Sequence, residues 1–265
     1  MLRLFDIKAT CPICNKPEEC LIAEDGSACI CYHVAEGSVK RCGNAGWLHI
    51  LKPGQFVPQK HTPKPKPYVN WALKNRIFQR NFNREVLPGL GLTAPTLECF
   101  GGGYDGDMWT FPMYNEIKEV IGIQQRTHNG KKYTMEHGDV GVFAPNSLNQ
   151  QTVRHQILLV CEGMSDAATA FELGWPSIGK YNYSAGNEIV FALCKKWRSL
   201  TSVIIVADPD QDGIWGAELL QDMLRRLPMG VSMLTPPEDL RTMYTKGLTA
   251  DQFSDKISES LKRKH

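Results

Sequence analysis

The apolar positions of this chain change rhythm along its length. From Ile157 onward they fall in short unbroken runs, Ile157–Val160 and Val203–Val206, each followed by a stretch with helical spacing. Unbroken aliphatic runs of this kind fit strands buried on both faces of a parallel sheet. The spacing predicts helices over residues 165–173, with Ser165 as N-cap, 187–197 and 214–226, and a short extended segment at Pro176–Ile178. Strand and helix in alternation predict an α/β fold, a parallel sheet with flanking helices whose ligands sit beyond the carboxyl ends of the strands. Residues 70–150 follow another pattern. Short β-like runs at Met108–Met113 and Val120–Gln125 are separated by the turn-rich FGGGYDGD and HNGKK, which predicts a mixed α/β subdomain. Trp109, His137 and the glycines at 101–103 are assigned to core and turns. There is no internal repeat.

Ahead of these segments, Lys52–Pro67 holds five prolines and almost no apolar residue, and so predicts a semi-rigid spacer that buries nothing. The chain is therefore cut into a small module (1–51), a linker (52–67), a basic subdomain (68–152) and a sheet-bearing subdomain with a C-terminal tail (153–265). With 265 residues and 42% apolar content there is ample material for a core, which excludes wholesale disorder. No apolar run reaches the ~20 residues of a membrane span, and MLRLFDIKATCPIC lacks the layout of a secretory signal. A cytoplasmic protein without membrane partners is expected.

The net charge of +2 hides an asymmetry. Residues 1–80 carry 12 Lys and Arg against 6 Asp and Glu, whereas residues 81–265 carry 18 against 22. A basic front end can approach a phosphate backbone, although a solvated linker accounts for part of the excess.

Six of the nine cysteines lie between Cys11 and Cys42, and dense cysteine in a reducing compartment argues for metal over disulfides. Cys11-Pro-Ile-Cys14 has the spacing of a zinc knuckle. In CLIAEDGSACIC the Asp25-Gly26 pair predicts a two-residue hairpin turn, so that opposed residues have numbers summing to 51 and Cys20 faces Cys31. Cys11, Cys14, Cys20 and Cys31 are the expected ligands of one structural zinc ion, with His33 and Cys42 as runners-up. Cys29 reads as a small buried residue, though its entry into the ligand set stays open.

Acidic residues gather where predicted strands end. LLVCEGMSD places Glu162, Gly163 and Asp166 after the first strand, and VIIVADPDQDG places Asp208 and Asp210 after another. Ionised carboxylates are acceptor-only oxygen ligands suited to Mg²⁺ or Mn²⁺, and two such ions ~4 Å apart can serve phosphoryl transfer. Loop carboxylates are usually solvated, but here two acidic turns fall at one sheet edge. A calcium loop does not fit, because the glutamate at its twelfth position is missing. Asp212 is expected as N-cap of the helix beginning near Gly213.

Residues 157–234, with EGMSD and DPDQDG, resemble the Toprim domain of bacterial-type primases, topoisomerases and some nucleases. The cysteine module resembles the primase zinc ribbon, and VIGIQQRTHNGKKYTMEHGDVGVF resembles the basic segment that precedes the Toprim core in primases and phage primase–helicases. The order of parts is similar to that of a phage- or plasmid-type primase over about residues 8–250. This resemblance implies Glu162, Asp208 and Asp210 as Mg²⁺-binding acids and Asp166 as a further acid. It implies Arg126 and Lys132 as holders of nucleotide phosphates. Lys131 can replace Lys132, because the strand register is open, and a solvated turn is the plain alternative for both. Lys180 is a further phosphate or template candidate, or an exposed loop lysine. Lys40, Arg41 and Trp47 are candidates for holding single-stranded DNA. The function implied is RNA primer synthesis from ribonucleoside triphosphates on a single-stranded DNA template. No P-loop GxxxxGK[ST] is found, so a separate replicative helicase is expected. Rival readings are a Toprim nuclease, for which His155 is the nearest histidine to Glu162, and a non-catalytic single-strand-binding accessory. A topoisomerase fits less well, for want of a domain offering a tyrosine nucleophile.

Overall fold

The computed structural model describes all residues except 5, 6, 8, 17, 18, 57–65, 85–88, 149–155 and 263–265. His155, most of the linker and the last three residues therefore lie outside the described residues. The chain divides into two compact units, Met1–Lys66 and Pro67–His265.

The first unit is a five-stranded antiparallel sheet of β1 (Leu2–Arg3), β2 (Leu21–Ile22), β3 (Ala28–Cys31), β4 (Lys40–Arg41) and β5 (Trp47–Ile50), in the order β1-β2-β3-β5-β4. Leu21 pairs with Ile30 and Ile22 with Cys29, the register that the Asp25-Gly26 turn predicts. Gly26 takes a left-handed φ of 73°, and Asp25 Oδ1 accepts hydrogen bonds from the Ser27 backbone N–H and hydroxyl. The core is built from Leu4, Ile22, Leu51 and the four thiols Cys11, Cys20, Cys29 and Cys31. So little hydrocarbon does not hold a unit of this size by itself, and the thiols are placed to supply the missing cross-link.

The second unit opens with α1 (Trp71–Arg80), capped by the Asn70 side chain, and α2 (Ala94–Cys99). An antiparallel sheet follows, with β6 (Gly103–Tyr104), β7 (Trp109–Tyr114), β8 (Val120–Arg126) and β9 (Lys132–Thr134) in sequential order. Trp109 is buried in the core, as expected, and His137 sits in a left-handed turn conformation. Gly103 is required by close approach, because a Cβ there would lie 2.6 Å from the Phe78 carbonyl carbon of α1.

The chain then alternates through β10 (Ile157–Glu162), α3 (Met164–Glu172), β11 (Ser177–Lys180), α4 (Asn187–Lys196), β12 (Ser202–Val206), α5 (Gln211–Leu224), β13 (Gly230–Leu234), α6 (Leu240–Thr245) and α7 (Ala250–Lys262). The four strands form a parallel sheet in the order β11-β10-β12-β13. Successive residues of β10 and β12 face opposite layers. Leu159, Cys161, Ile204 and Val206 pack in one core with residues of α3 and α7, and Leu158, Val160, Val203 and Ile205 in another with residues of α4 and α5. Residues 142–143 tie the two sheets together, Val142 bridging to Tyr114 of β7 and Phe143 to Gly179 of β11. This linkage sets the β8–β9 hairpin beside the carboxyl ends of β10 and β11.

Three boundaries differ from expectation. Helix α3 starts at Met164 with Gly163, at φ 92°, as its N-cap in place of Ser165, whose side chain is buried in the first turn. Helix α5 starts at Gln211 and its cap is Asp210, whose Oδ1 accepts the Gly213 N–H at 2.7 Å, so Asp212 falls in the first turn. Strand β11 runs on to Lys180, beyond the short segment ending at Ile178. Among the described residues no helix is long and apolar enough to cross a membrane.

Candidate active site and zinc centre

In the first unit the sulfurs of Cys11, Cys14, Cys20 and Cys31 all lie within 4.8 Å of one another. Cys14 and Cys20 stand 3.7 Å apart, and Cys20 and Cys31 3.9 Å. A tetrahedron with Zn–S bonds of ~2.3 Å has edges of about 3.8 Å, so the donor set fits a zinc ion in both chemistry and spacing. Burial pushes the Cys11 thiol up, but backbone hydrogen bonds from Cys14 and Ile13 and the neighbouring thiols outweigh it and hold Cys11 below the usual thiol value. Burial raises Cys20, Cys29 and Cys31. The knuckle thus favours a first thiolate that a cation would then extend to the others. The runners-up His33 and Cys42 are not part of this cluster, and His33 Nε2 instead meets Glu19 at 3.3 Å. Cys29 is fully buried, as expected, yet its sulfur is 3.6 Å from that of Cys11, a neighbour of the cluster and not merely packing.

On the same sheet Lys40 and Arg41 of β4 pair with Leu48 and Trp47 of β5. The Arg41 guanidinium lies over the Trp47 ring at 5.8 Å, which brings the three nucleic-acid candidates onto one antiparallel pair.

In the second unit a cavity of about 270 Å³ opens at the carboxyl ends of β10, β11 and β12, lined by Gln124, Lys132, Glu162, Asp166, Tyr181 and Asp208 among others. Larger than this is a cleft of about 620 Å³ beside α6 and α7, but it contains none of these acids. Glu162 ends β10 and is opposed across the ladder by Lys180, the end of β11. Asp208 follows β12, and Asp210, spent partly on capping α5, sits exposed at the rim. Asp166 is buried in α3, where its Oδ1 accepts the Arg241 backbone N–H at 3.0 Å.

The acids strain against one another. Burial first, then repulsion from Asp166, Glu162, Asp210 and Asp239, push Asp208 up to about 7. Burial also raises Glu162 and Asp166, against the pull of Lys180 on the first and of the Arg241 N–H on the second. An oxygen-only donor set with this much mutual repulsion fits a hard divalent cation such as Mg²⁺ or Mn²⁺.

Cations lie beside these acids, and Lys132 lines the cavity itself. Burial lowers Arg126, Arg241 adds repulsion, and among the described residues the buried Arg126 Nε has no hydrogen-bond partner. Lys132 pairs with Arg126 across β8 and β9 and reaches towards Gly163, its ammonium lowered by its surroundings and by Arg126 while Asp166 and Asp208 pull it up. Lys131 sits in the turn before β9, exposed and hydrogen-bonded through its backbone to Thr127, and does not line the cavity. Lys180 is not an exposed loop lysine. It is buried, donates to the Tyr183 carbonyl at 2.8 Å and to Asn187 Oδ1 at 3.0 Å, and is lowered to about 8 by burial.

Two contributors escaped sequence reading. Asp239 and Arg241 lie just past β13, whose carboxyl end reaches the same sheet edge. Burial pushes Asp239 up, but hydrogen bonds from the Thr242 hydroxyl and N–H hold it below the usual carboxylate range. The legible signal was the apolar GVSML run followed by PPEDLR, a fourth strand with an acidic turn of its own.

No family model matches the sequence, and no curated protein matches it. Solved structures do. The catalytic domain of DnaG primase bound to single-stranded DNA matches with a TM-score of 0.58 at 16% identity, over 72% of this chain and 79% of that one. The zinc-binding and RNA polymerase domains of the Aquifex aeolicus primase match with a TM-score of 0.59 at 14% identity, over 72% of this chain and 60% of that one. The primase fragment of the bacteriophage T7 primase-helicase matches with a TM-score of 0.51 at 15% identity, over 97% of this chain and 99% of that one. With its parallel four-stranded sheet, its antiparallel companion and its N-terminal cysteine cluster, the chain has the fold of the Toprim-containing primases of bacteria and phage.

Proposed function

We propose that this protein is a DNA primase that synthesises short RNA primers on single-stranded DNA by metal-dependent nucleotidyl transfer. The observation that carries the reading is the convergence of Glu162, Asp166, Asp208 and Lys132 on one cavity, with Arg126 and Arg241 close enough to act on Lys132 and Asp166 by charge, within a fold shared with primases. Acids alone would serve many metal reactions, and cations alone would merely bind phosphate. Both together suit a reaction in which a triphosphate must be held, oriented and attacked.

Glu162, Asp208 and Asp210 would hold the cation, which when bound supplies charge neutralisation at the phosphates and lowers the pKa of a coordinated hydroxyl. Arg126 and Lys132 would orient the triphosphate from the β8–β9 side. The unpartnered Arg126 Nε is a donor that a phosphate oxygen would satisfy. Lys180 would position the loop after β11 through its hydrogen bonds to the Tyr183 carbonyl and Asn187, and act on Glu162 by charge. Catalysis on this plan is positioning and electrostatics. Residues 153–265 and 68–152 would then be the two halves of the polymerase, residues 1–51 a zinc-stapled template reader using Lys40, Arg41 and Trp47, and residues 52–67 the spacer. A replicative helicase is the partner expected, in keeping with the neighbour that is part of a primase-helicase protein.

The test is incubation of the zinc-loaded protein with mixed-sequence single-stranded DNA, labelled ribonucleoside triphosphates and Mg²⁺. Short labelled RNA products are expected. Shortening of the template in their place would overturn the reading in favour of a nuclease, and neither product in favour of a binding protein.

A further inference from the structure

Trp215 is half exposed, at 50%, on a helix that begins at the catalytic edge of the sheet. It stands five residues past the cap Asp210, about 7 Å along α5. An isolated exposed tryptophan would need no explanation. This one has a built support. The Tyr183 ring lies against it with centroids 5.9 Å apart and planes at 50°. Tyr183 can come that close because residue 216 is glycine, where a Cβ would lie 2.7 Å from the Tyr183 Cβ.

The support is also part of the candidate site. The Tyr183 carbonyl accepts the Lys180 ammonium at 2.8 Å, and the Tyr183 backbone N–H donates to the Glu162 carboxylate. Asn182 Oδ1 accepts from the backbone N–H groups of Ser184 and Ala185 and the Ser184 hydroxyl, which fixes the loop that carries the ring. Tyr181 and Asn182, the residues immediately before, line the acidic cavity, whereas Tyr183 and Trp215 do not. The aromatic pair therefore stands just outside the space that a nucleotide would fill, tied by its backbone to the acid and the lysine inside it.

We propose that Trp215, backed by Tyr183, is a stacking platform for a base of the single-stranded DNA that crosses the catalytic cavity. This rests on the primase reading and deepens it. A flat, half-exposed π-face held at fixed height beside a phosphate-binding cavity is what an unpaired base needs, and stacking tolerates any base, as a template reader must. Its position outside the cavity assigns it to a residue of the strand and not to the incoming nucleotide. Leu219, 42% exposed one turn further along α5, extends the apolar edge.

The experiment uses the full chain with zinc and Mg²⁺, a fluorescent oligo(dT) and the variants W215A and W215F. W215A is expected to bind oligo(dT) about 5- to 150-fold more weakly and W215F within about threefold of wild type, because a phenyl ring still stacks. Binding of a fluorescent ribonucleoside triphosphate is expected to be the same in all three. A single abasic position moved along the oligonucleotide is expected to weaken wild type at one register and to leave W215A indifferent. Wild-type DNA affinity in W215A would overturn the proposal and leave the aromatic edge to a protein contact. Equal abasic sensitivity in W215A and wild type would overturn it too. Failure of wild type itself to bind DNA or make primers would overturn the primase reading along with it, whereas primer synthesis by wild type with undiminished DNA binding by W215A would overturn the platform alone.

Discussion

Glu162 and Lys180 stand opposite one another as the last residues of neighbouring parallel strands, the carboxylate raised and the ammonium lowered by the same burial. Each keeps the other charged in a place where neither would be stable alone. The lysine is further fixed by the Tyr183 carbonyl and Asn187. Lys180→Ala is expected to destabilise the second unit by about 1–3 kcal/mol, since two partly buried acceptors lose their donor. Chemical denaturation checks this, and the same variant should lose primer synthesis while keeping zinc.

Burial of Asp208, with the repulsion of its acidic neighbours, sets a pH dependence. Its carboxyl is raised to about 7, so between its unfolded value near 4 and 7 the folded state binds more protons than the unfolded one. The contribution of this group to stability therefore falls as pH rises through that window. A divalent cation competes with the proton and reverses the loss. Thermal stabilisation by Mg²⁺ is expected to be small at pH 5 and to grow steadily to pH 8, which differential scanning at fixed Mg²⁺ measures. Stabilisation independent of pH would count against cation binding at these acids.

Zinc is expected to be a folding ligand of the first unit. Chelation should abolish the near-ultraviolet signal of Trp47 and release one zinc per chain, because among the described residues the buried hydrocarbon of that unit is Leu4, Ile22 and Leu51 besides its thiols. Cys31→Ser should lose the ion or weaken it at least tenfold, whereas Cys29→Ser should retain one zinc. Loss of zinc from Cys29→Ser with retention in Cys31→Ser would exchange the two in the ligand set.

Gly213 is packed against the loop that carries the acids, where a Cβ would come within 2.8 Å of both the Cβ and the carbonyl oxygen of Asp208. Gly213→Ala is expected to cost about 1–3 kcal/mol through overpacking and to cut primer yield more than Gly174→Ala, a control whose Cβ would meet nothing within 4 Å but which carries its own cost from a left-handed φ of 91°. Yield at equal folded concentration separates the two effects.

What could be read from the sequence was what local chemistry fixes. A two-residue turn sets the parity of a hairpin, so Asp25-Gly26 was enough to put Cys20 opposite Cys31, one step past the observed Leu21–Ile30 pair. Unbroken apolar runs gave β10 and β12, and with them the sheet edge where Glu162 and Asp208 gather. The ends of elements were less legible. In DPDQDG every aspartate can cap a helix, and only the fold selects Asp210 over Asp212. The four residues SIGK carry no periodicity, so Lys180 read as a loop residue when it ends a strand. Asp239 and Arg241 come from a strand and turn far along the chain, and their role depends on a sheet order that no local pattern encodes.

The most direct test of the central proposal is Asp208→Asn/Asp210→Asn assayed beside wild type for RNA primer synthesis and for single-stranded DNA binding. Expected is loss of primers by a factor of about 10³ or more with DNA affinity and zinc content unchanged, because the carboxylates would hold the catalytic cation, while an asparagine at 210 can still accept the Gly213 N–H that caps α5. Undiminished primer synthesis in the double variant would contradict the assignment of these acids and, with it, the catalytic site.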